Sequence, residues 1–361
     1  MTKKKIKPIF YNIFDDIKRY PDAVVYTVMS QRGVGKTYGF LRDAYLKYHK
    51  KFIYMKRTID DVLTICSGDE MMDINPYKPI NRDCNTRIKP KLLNKKGVGY
   101  FADYTESSEN PEFVGYICAM NGLKVLRGMD LSDADYMVLD EFVPTSGDIS
   151  VRHAEGSQLL DCYMTFNRRR EDIGLPPIKM LLFSNCDDIV CPISDTMELI
   201  DPVAEMVAEG RSESYDPDRL LFIHHVTDKE VPISEAQKKG MYSVMKGTAW
   251  AEKSFSGSFS NNDFTQIVKK SIQHSRCIMR CTYKKMDIYI YENADSGKLY
   301  ACEIAHQCRT KYDFNREADR IRFLHYDNMM IRQAIMNDEI SFQKYTMYDL
   351  FINFVKKFSL R

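Results

Sequence analysis

Lys36 and Thr37 close the octapeptide SQRGVGKT, in which Gly33 and Gly35 stand just ahead of them. A lysine and a hydroxyl directly after a glycine-bearing turn suit a polyphosphate: backbone N–H groups from Gly33 to Thr37 can wrap a phosphate, and a following helix N-terminus adds positive potential. The pattern is G-x4-G-K-[ST], with Ser30 in the place of the first glycine. A serine holds such a turn when its φ stays negative or its hydroxyl bonds locally. Read this way, Ser30, Gln31, Arg32, Gly33, Val34, Gly35, Lys36 and Thr37 contact the nucleotide, Lys36 reaches the β and γ oxygens, and Thr37 is a ligand to Mg²⁺. The competing reading is a chance Gly-Lys-Thr in an ordinary βα turn.

A second constellation supports the first. Tyr136-Met137-Val138-Leu139-Asp140-Glu141 is an apolar run ending in two carboxylates. Asp140 at the strand's end suits the magnesium shell, and Glu141 beside it suits polarisation of an attacking water. A phosphotransferase can dispense with that second acid, so the pair favours hydrolysis. The Asn94-Lys95-Lys96-Gly97 run carries glycine where a guanine-reading aspartate belongs, so ATP is the expected nucleotide. Arg168, Arg169 and Arg170 follow a helix-like segment and suit charge developing on a transferring phosphoryl group, offered from a neighbouring subunit; a solvated basic helix end is the plainer alternative. Asn185, at the tip of the run Leu182-Phe183-Ser184-Asn185, fits either a γ-phosphate sensor or a cap.

These residues need a scaffold. Strand-length apolar runs at 23–29, 51–55, 136–139, 180–183 and 220–226 alternate with helix-like segments, which predicts an α/β fold with a mostly parallel sheet flanked by helices. Segments 88–105 and 112–120 are expected to add an inserted hairpin or small subsheet. From about Thr227 the sequence turns polar and rich in small residues, dividing the chain into a motor domain (1–227), a linker or lid (228–262) containing a short helix, and a C-terminal α+β domain (263–361). There, three strand-like runs begin at Ser275, and 329–358 spaces its apolar residues helically. Residues 264–361 carry 17 Lys+Arg against 11 Asp+Glu, so a net +6 on the tail stands against −4 on the rest. A mildly basic second domain is compatible with a nucleic-acid surface without establishing one. The N-terminus lacks the apolar stretch of a signal peptide and no long apolar run occurs, giving a cytosolic expectation with no membrane partner. The ten cysteines then read as reduced thiols. Cys277, Cys281, Cys302 and Cys308, near His274 and His306, fit no common zinc spacing.

Taken together, SQRGVGKTYG, the strand FIYMKR, VLDEF, FNRRRE, LLFSN and a basic tail domain resemble the DNA-packaging ATPases of phi-29-like tailed bacteriophages. The resemblance implies a P-loop fold of the ASCE class with ATP and Mg²⁺, and a tail domain resembling a vestigial RNase H-like nuclease. It assigns Lys36 and Thr37 to the phosphate loop, Asp140 and Glu141 to the magnesium and water-activating acids, Arg169 or its neighbour Arg168 to a finger acting in trans, and Arg127 to a second basic group across the subunit interface. It further implies a homopentameric ring at the portal of an empty capsid in the host cytoplasm, moving double-stranded DNA, with a packaging RNA as a further candidate partner. The first tail strand, 276–283, has no acid for a nuclease metal, and Asp287 and Glu292 do not make a two-metal site alone, so no nuclease activity is expected. Candidate DNA-phosphate contacts are Arg82, Lys95, Lys96, Lys56, Arg57 and the basic tail. Phe10, Tyr11, Phe14 and Tyr20 could stack on adenine, though core packing is favoured. A nucleoside or small-molecule kinase, and a nucleotide-gated switch, are the rival functions.

Overall fold

A computed structural model describes residues 10–68, 74–94, 96–144, 154–186, 188–232, 241–245, 247–248, 257, 259 and 262–358. Met1–Met197 with Ser212–Asn261 make one compact unit, and Glu198–Arg211 with Asn262–Arg361 make a second.

The first unit is built on a nine-stranded sheet of order β3-β4-β5-β2-β6-β7-β1-β9-β8. Its strands are β1 (Val25–Ser30), β2 (Phe52–Lys56), β3 (Ile88–Asn94), β4 (Val98–Asp103), β5 (Glu112–Ala119), β6 (Tyr136–Asp140), β7 (Lys179–Asn185), β8 (Glu213–Asp216) and β9 (Leu221–Val226). The six strands from β5 to β9 in that order run parallel. Their almost continuous apolar sequences follow from burial on both faces. β7 stands between the strand that enters the glycine turn and the strand that ends in two acids. The segments expected as a hairpin or subsheet extend the main sheet: β3 and β4 are antiparallel, and β5 joins β2 in parallel.

Helices α1 (Ile13–Arg19), α2 (Lys36–Leu46), α3 (Ile59–Ser67), α4 (Lys78–Cys84), α5 (Leu123–Leu126), α6 (Glu155–Asp172) and α7 (Pro192–Thr196) complete this unit, with a short helix at Met241–Met245. Thr58 caps α3 in a reciprocal capping box with Asp61. The core is aromatic: Phe40 of α2 lies edge-on to Phe52, Tyr136 and Phe183, which ties the helix after the glycine turn to three strands.

The second unit holds a five-stranded sheet of order β13-β10-β11-β12-β14. β10 (Ser275–Tyr283), β11 (Met286–Asn293) and β12 (Leu299–Cys302) form an antiparallel meander, while β13 (Thr310–Asp313) and β14 (Ile340–Phe342) add in parallel at its two edges. The helical spacing over 329–358 is a mixture in the fold. The helix Asn328–Met336 ends before Asp338, which adopts φ 54°, and Ile340 and Phe342 then alternate into the core as β14 before helices resume at Tyr345–Ile352 and Phe354–Phe358. Phe314, Phe323, Phe351 and Phe354 centre this core. Asp201 of α8 (Ile200–Ala208) accepts from the Thr346 N–H and hydroxyl at 2.8 and 2.7 Å, and so caps a helix distant in sequence. Among the described residues no helix is long and apolar enough to cross a membrane.

Candidate functional site

The turn between β1 and α2 needs its glycines. Gly33 and Gly35 adopt φ 80° and 89°, the left-handed region where a Cβ is strained, and a Cβ on Gly35 would lie 2.8 Å from Cδ1 of Phe10. The serine ahead of them has a definite task. Its hydroxyl donates to the Gln31 carbonyl at 2.8 Å and accepts from Nζ of Lys36 at 2.5 Å, so one buried oxygen both shapes the turn and holds the lysine. Burial pushes the Lys36 amine below the usual lysine range, while Cys186, Asp140 and Glu141 pull it back towards the charged form. Two tethers fix the turn from outside: Nε2 of Gln31 donates to Val231 O at 3.0 Å, and Tyr11 N–H donates to Val34 O at 3.0 Å. Arg32 is exposed on the turn and Val34 is buried beneath it.

Across the sheet, the Thr37 hydroxyl donates to Oδ2 of Asp140 at 2.7 Å, although 103 residues separate them. A hydroxyl and a carboxylate oxygen brought together beside a buried lysine and an N–H-rich turn are hard oxygen donors of the kind Mg²⁺ takes with a polyphosphate, so the donor set fits Mg²⁺–ATP. Glu141 follows with φ 58°, an uncommon conformation for a non-glycine residue, and its carboxylate is exposed. Asn185 ends β7 opposite Ser30 in the parallel register, half-buried at the same edge of the sheet.

Arg57, named in the sequence among candidate DNA contacts, belongs instead to the acid turn. Its guanidinium donates to the Glu141 and Phe142 carbonyls, both at 2.7 Å, and to Oε1 of Glu155 at 2.8 Å. The side chain is 11% exposed and that of Glu155 4%. One arginine thereby joins the end of β2, the turn after β6 and the first residue of α6. Sequence reasoning missed this role because the fork's targets are mainly backbone carbonyls far along the chain.

The three consecutive arginines lie inside α6 rather than after it, and they differ. Arg170 is 1% exposed and donates to the carbonyls of Pro176, Ser132 and Ala134, each at 2.7 Å, so it is structural. Arg168 is exposed; the Arg169 side chain lies outside the described residues. Arg127 is exposed at the C-terminal end of α5. The structure therefore gathers Ser30, Lys36, Thr37, Asp140, Glu141 and Asn185, while Arg168 and Arg127 stand at the surface outside this group. Of the other basic candidates, Arg82 pairs with Asp83 at 2.9 Å, Lys56 lies 5.1 Å from the Tyr54 ring centroid, Lys96 is exposed and Lys95 lies outside the described residues.

A buried polar network adjoins the turn. His224 meets Oδ2 of Asp16 through Nδ1 at 2.7 Å and Oε2 of Glu230 through Nε2 at 2.8 Å, and Tyr11 donates its hydroxyl to Asp16 at 2.5 Å. Arg19 binds both Asp16 and Glu213. Asp16, Glu213 and His224 are the one metal-capable cluster among the described residues; the cysteines 277, 281, 302 and 308 do not form one. In the second unit Asp287 is held by the Thr282 hydroxyl at 2.6 Å and by Arg280 at 2.8 Å, and Glu292 by Arg276 at 2.8 Å.

The family described as "Podovirus DNA encapsidation protein (Gp16)" matches residues 6–359 of the chain. Among solved structures, the chain is similar to a subunit of the bacteriophage Phi-29 viral genome packaging motor assembly, with 16% identity, TM-score 0.62, and 97% of this chain and 99% of that one covered. It is also similar to the Phi-28 gp11 DNA packaging motor, with 14% identity, TM-score 0.54, and coverage of 98% and 99%. At these identities the likeness concerns the fold. No curated protein matches the chain.

Proposed function

This chain belongs to the podovirus DNA encapsidation protein (Gp16) family and serves DNA packaging, and from that premise we propose that it is the ATP-hydrolysing subunit of a ring motor driving double-stranded viral DNA into a preformed capsid. The observation that carries the ATPase reading is the 2.7 Å contact between Thr37 and Asp140, which joins the phosphate turn to the acid strand. The turn's N–H groups and Lys36 bind and orient the phosphates. Held by Thr37 and Asp140, Mg²⁺ would supply charge stabilisation to the polyphosphate. Glu141 takes a proton from the attacking water, and Arg57 holds the Glu141 peptide so that the carboxylate keeps its aim. Asn185, beside Ser30, is the candidate γ-phosphate sensor.

Arg169 or Arg168 serves as the finger offered to a neighbouring subunit, with Arg127 as a second group at that interface; the exposure of Arg168 and Arg127 supports this, since a guanidinium at the surface can reach a neighbour. The ring is expected to be a homopentamer that grips DNA through phosphates, which needs no base reading. Its expected partners are the portal of the prohead and a packaging RNA, and its setting the host cytoplasm and, transiently, the portal vertex. Family membership disfavours the kinase reading.

The test is ATP hydrolysis with and without long linear double-stranded DNA, on free protein and on empty capsids, for wild type and Glu141→Gln. DNA-stimulated turnover that the substitution removes while nucleotide binding persists is the expected result. Turnover indifferent to DNA and dependent on a nucleoside acceptor would replace the motor with a kinase.

A further inference from the structure

Phe10, Tyr11, Phe14 and Tyr20 precede the strand that enters the phosphate turn, and the fold separates them. Tyr11 and Phe14 are buried, and Tyr20 packs on Tyr215 and Phe222 with centroids 5.2 and 4.4 Å away. Phe10 is different. It is 41% exposed, and its ring presses on the turn, since a Cβ on Gly35 would meet Cδ1 at 2.8 Å and Cβ at 3.2 Å. Its centroid lies 5.3 Å from that of Tyr38, with the two planes at 40°. Tyr38 follows Thr37 directly in α2, and successive helix residues point about 100° apart, so Tyr38 projects away from the Thr37–Asp140 contact. Two further contacts steady its ring: the hydroxyl donates to Asp83 at 3.1 Å, and the Arg42 guanidinium lies 5.5 Å from the centroid. Phe10 touches the turn at Gly35 and Tyr38 follows Thr37 directly, so the aromatic pair borders the segment read as the phosphate site and is within reach of a nucleoside joined to those phosphates.

We propose that Phe10 and Tyr38 form the platform on which the base of the bound nucleoside triphosphate stacks, the turn taking the phosphates and the aromatic pair the base. The inference rests on the nucleotide-binding reading above. Stacking tolerates any base, so the platform contributes affinity and orientation rather than discrimination between purines.

Equilibrium binding to the full chain with Mg²⁺ tests this, using ATP and inorganic tripolyphosphate as separate probes. Phe10→Ala is expected to raise the Kd for ATP about tenfold, or about 1.4 kcal/mol, and to leave that for tripolyphosphate unchanged. Phe10→Trp is expected to keep ATP affinity, with an indole emission that ATP quenches and tripolyphosphate does not. Tyr38→Phe keeps the ring and should behave as wild type. ATP affinity unaltered in Phe10→Ala overturns the platform while leaving the nucleotide reading intact. Equal weakening of both probes also overturns it, because Phe10 would then merely brace the turn. Wild-type protein that binds neither probe would instead remove the nucleotide reading on which the platform stands.

Discussion

Each unit carries a pair of carboxylates on or beside a strand, and the two pairs differ in what faces them. Asp140 accepts from the Thr37 hydroxyl and the Glu141 N–H, and among the described residues neither Asp140 nor Glu141 makes an ion pair with an arginine, so both face the Lys36 amine and the open turn. Asp287 and Glu292 face Arg280 and Arg276 at 2.8 Å each, so their charge is already matched. The lesson is that an acid becomes chemistry through the partner withheld from it, and that arginine spacing informs as much as acid spacing.

The sharpest break of this comparison is Glu141→Gln, which keeps the shape and removes the base. Loss of a positioned general base costs about 10²–10⁴ in rate, so kcat for ATP hydrolysis should fall by that order while the Kd for ATP holds. A smaller fall would place water activation elsewhere. Arg57→Ala comes next. It takes the guanidinium from a buried carboxylate and from two carbonyls, and breaking a buried pair costs about 3–5 kcal/mol, visible as a lower denaturant midpoint. Arg57→Lys restores a charge opposite Glu155 but not the planar fork, so stability should recover partly while kcat stays reduced and KM is little changed. Full recovery of kcat with lysine would reduce Arg57 to a purely structural ion pair.

Much of the first site was legible because its parts are local. Gly33, Gly35, Lys36 and Thr37 lie in one turn or the first residues after it, and Asp140 and Glu141 close an apolar run of strand length. What remained hidden depends on pairing between distant segments. Arg57 and Arg170 owe their roles to carbonyls far along the chain that no periodicity predicts, and Arg168 and Arg170, of equal sequence weight, separate only when the 3.6-residue turn of α6 exposes one and buries the other. In the tail, apolar residues at helical spacing also satisfied a three-residue strand, a length at which period 2 and period 3.6 can hardly be told apart.

The His224 network gives a third, smaller effect. Burial lowers the imidazole's pKa, but Asp16 and Glu230 outweigh it and raise the value above the ordinary one. For Asp16, burial acts upward, yet the bonds from His224, Tyr11 and Arg19 bring the carboxyl below its ordinary value. A raised histidine contributes stability fully present below about pH 6.5 and lost as pH rises through its folded pKa; a depressed aspartate contributes stability present above about pH 3.9 and lost as pH falls through its folded pKa. The thermal midpoint should therefore decline on the alkaline side of pH 6.5, and His224→Gln should flatten that decline. Because Tyr11 bonds both Asp16 and Val34 of the phosphate turn, the Kd for ATP should drift weaker over the same alkaline range in wild type alone.

Asp287→Ala is the mildest substitution and tests the other half of the comparison. The Thr282 hydroxyl, and Arg280 after it, hold the Asp287 carboxyl below the ordinary range, and its contribution is lost only as pH falls through that depressed value, below about pH 3.9. Both members of the Arg280–Asp287 pair are more than a third exposed, and solvent screening leaves such surface pairs little net contribution, so little stability should change at neutral pH. A charge matched by arginine has no role in a metal-dependent step, so DNA incubated with Mg²⁺ or Mn²⁺ should remain uncut by wild type and variant alike, and ATP turnover should not move. DNA cleavage by wild type that Asp287→Ala removes would overturn the contrast, since the arginine-paired acid would then be the reactive one.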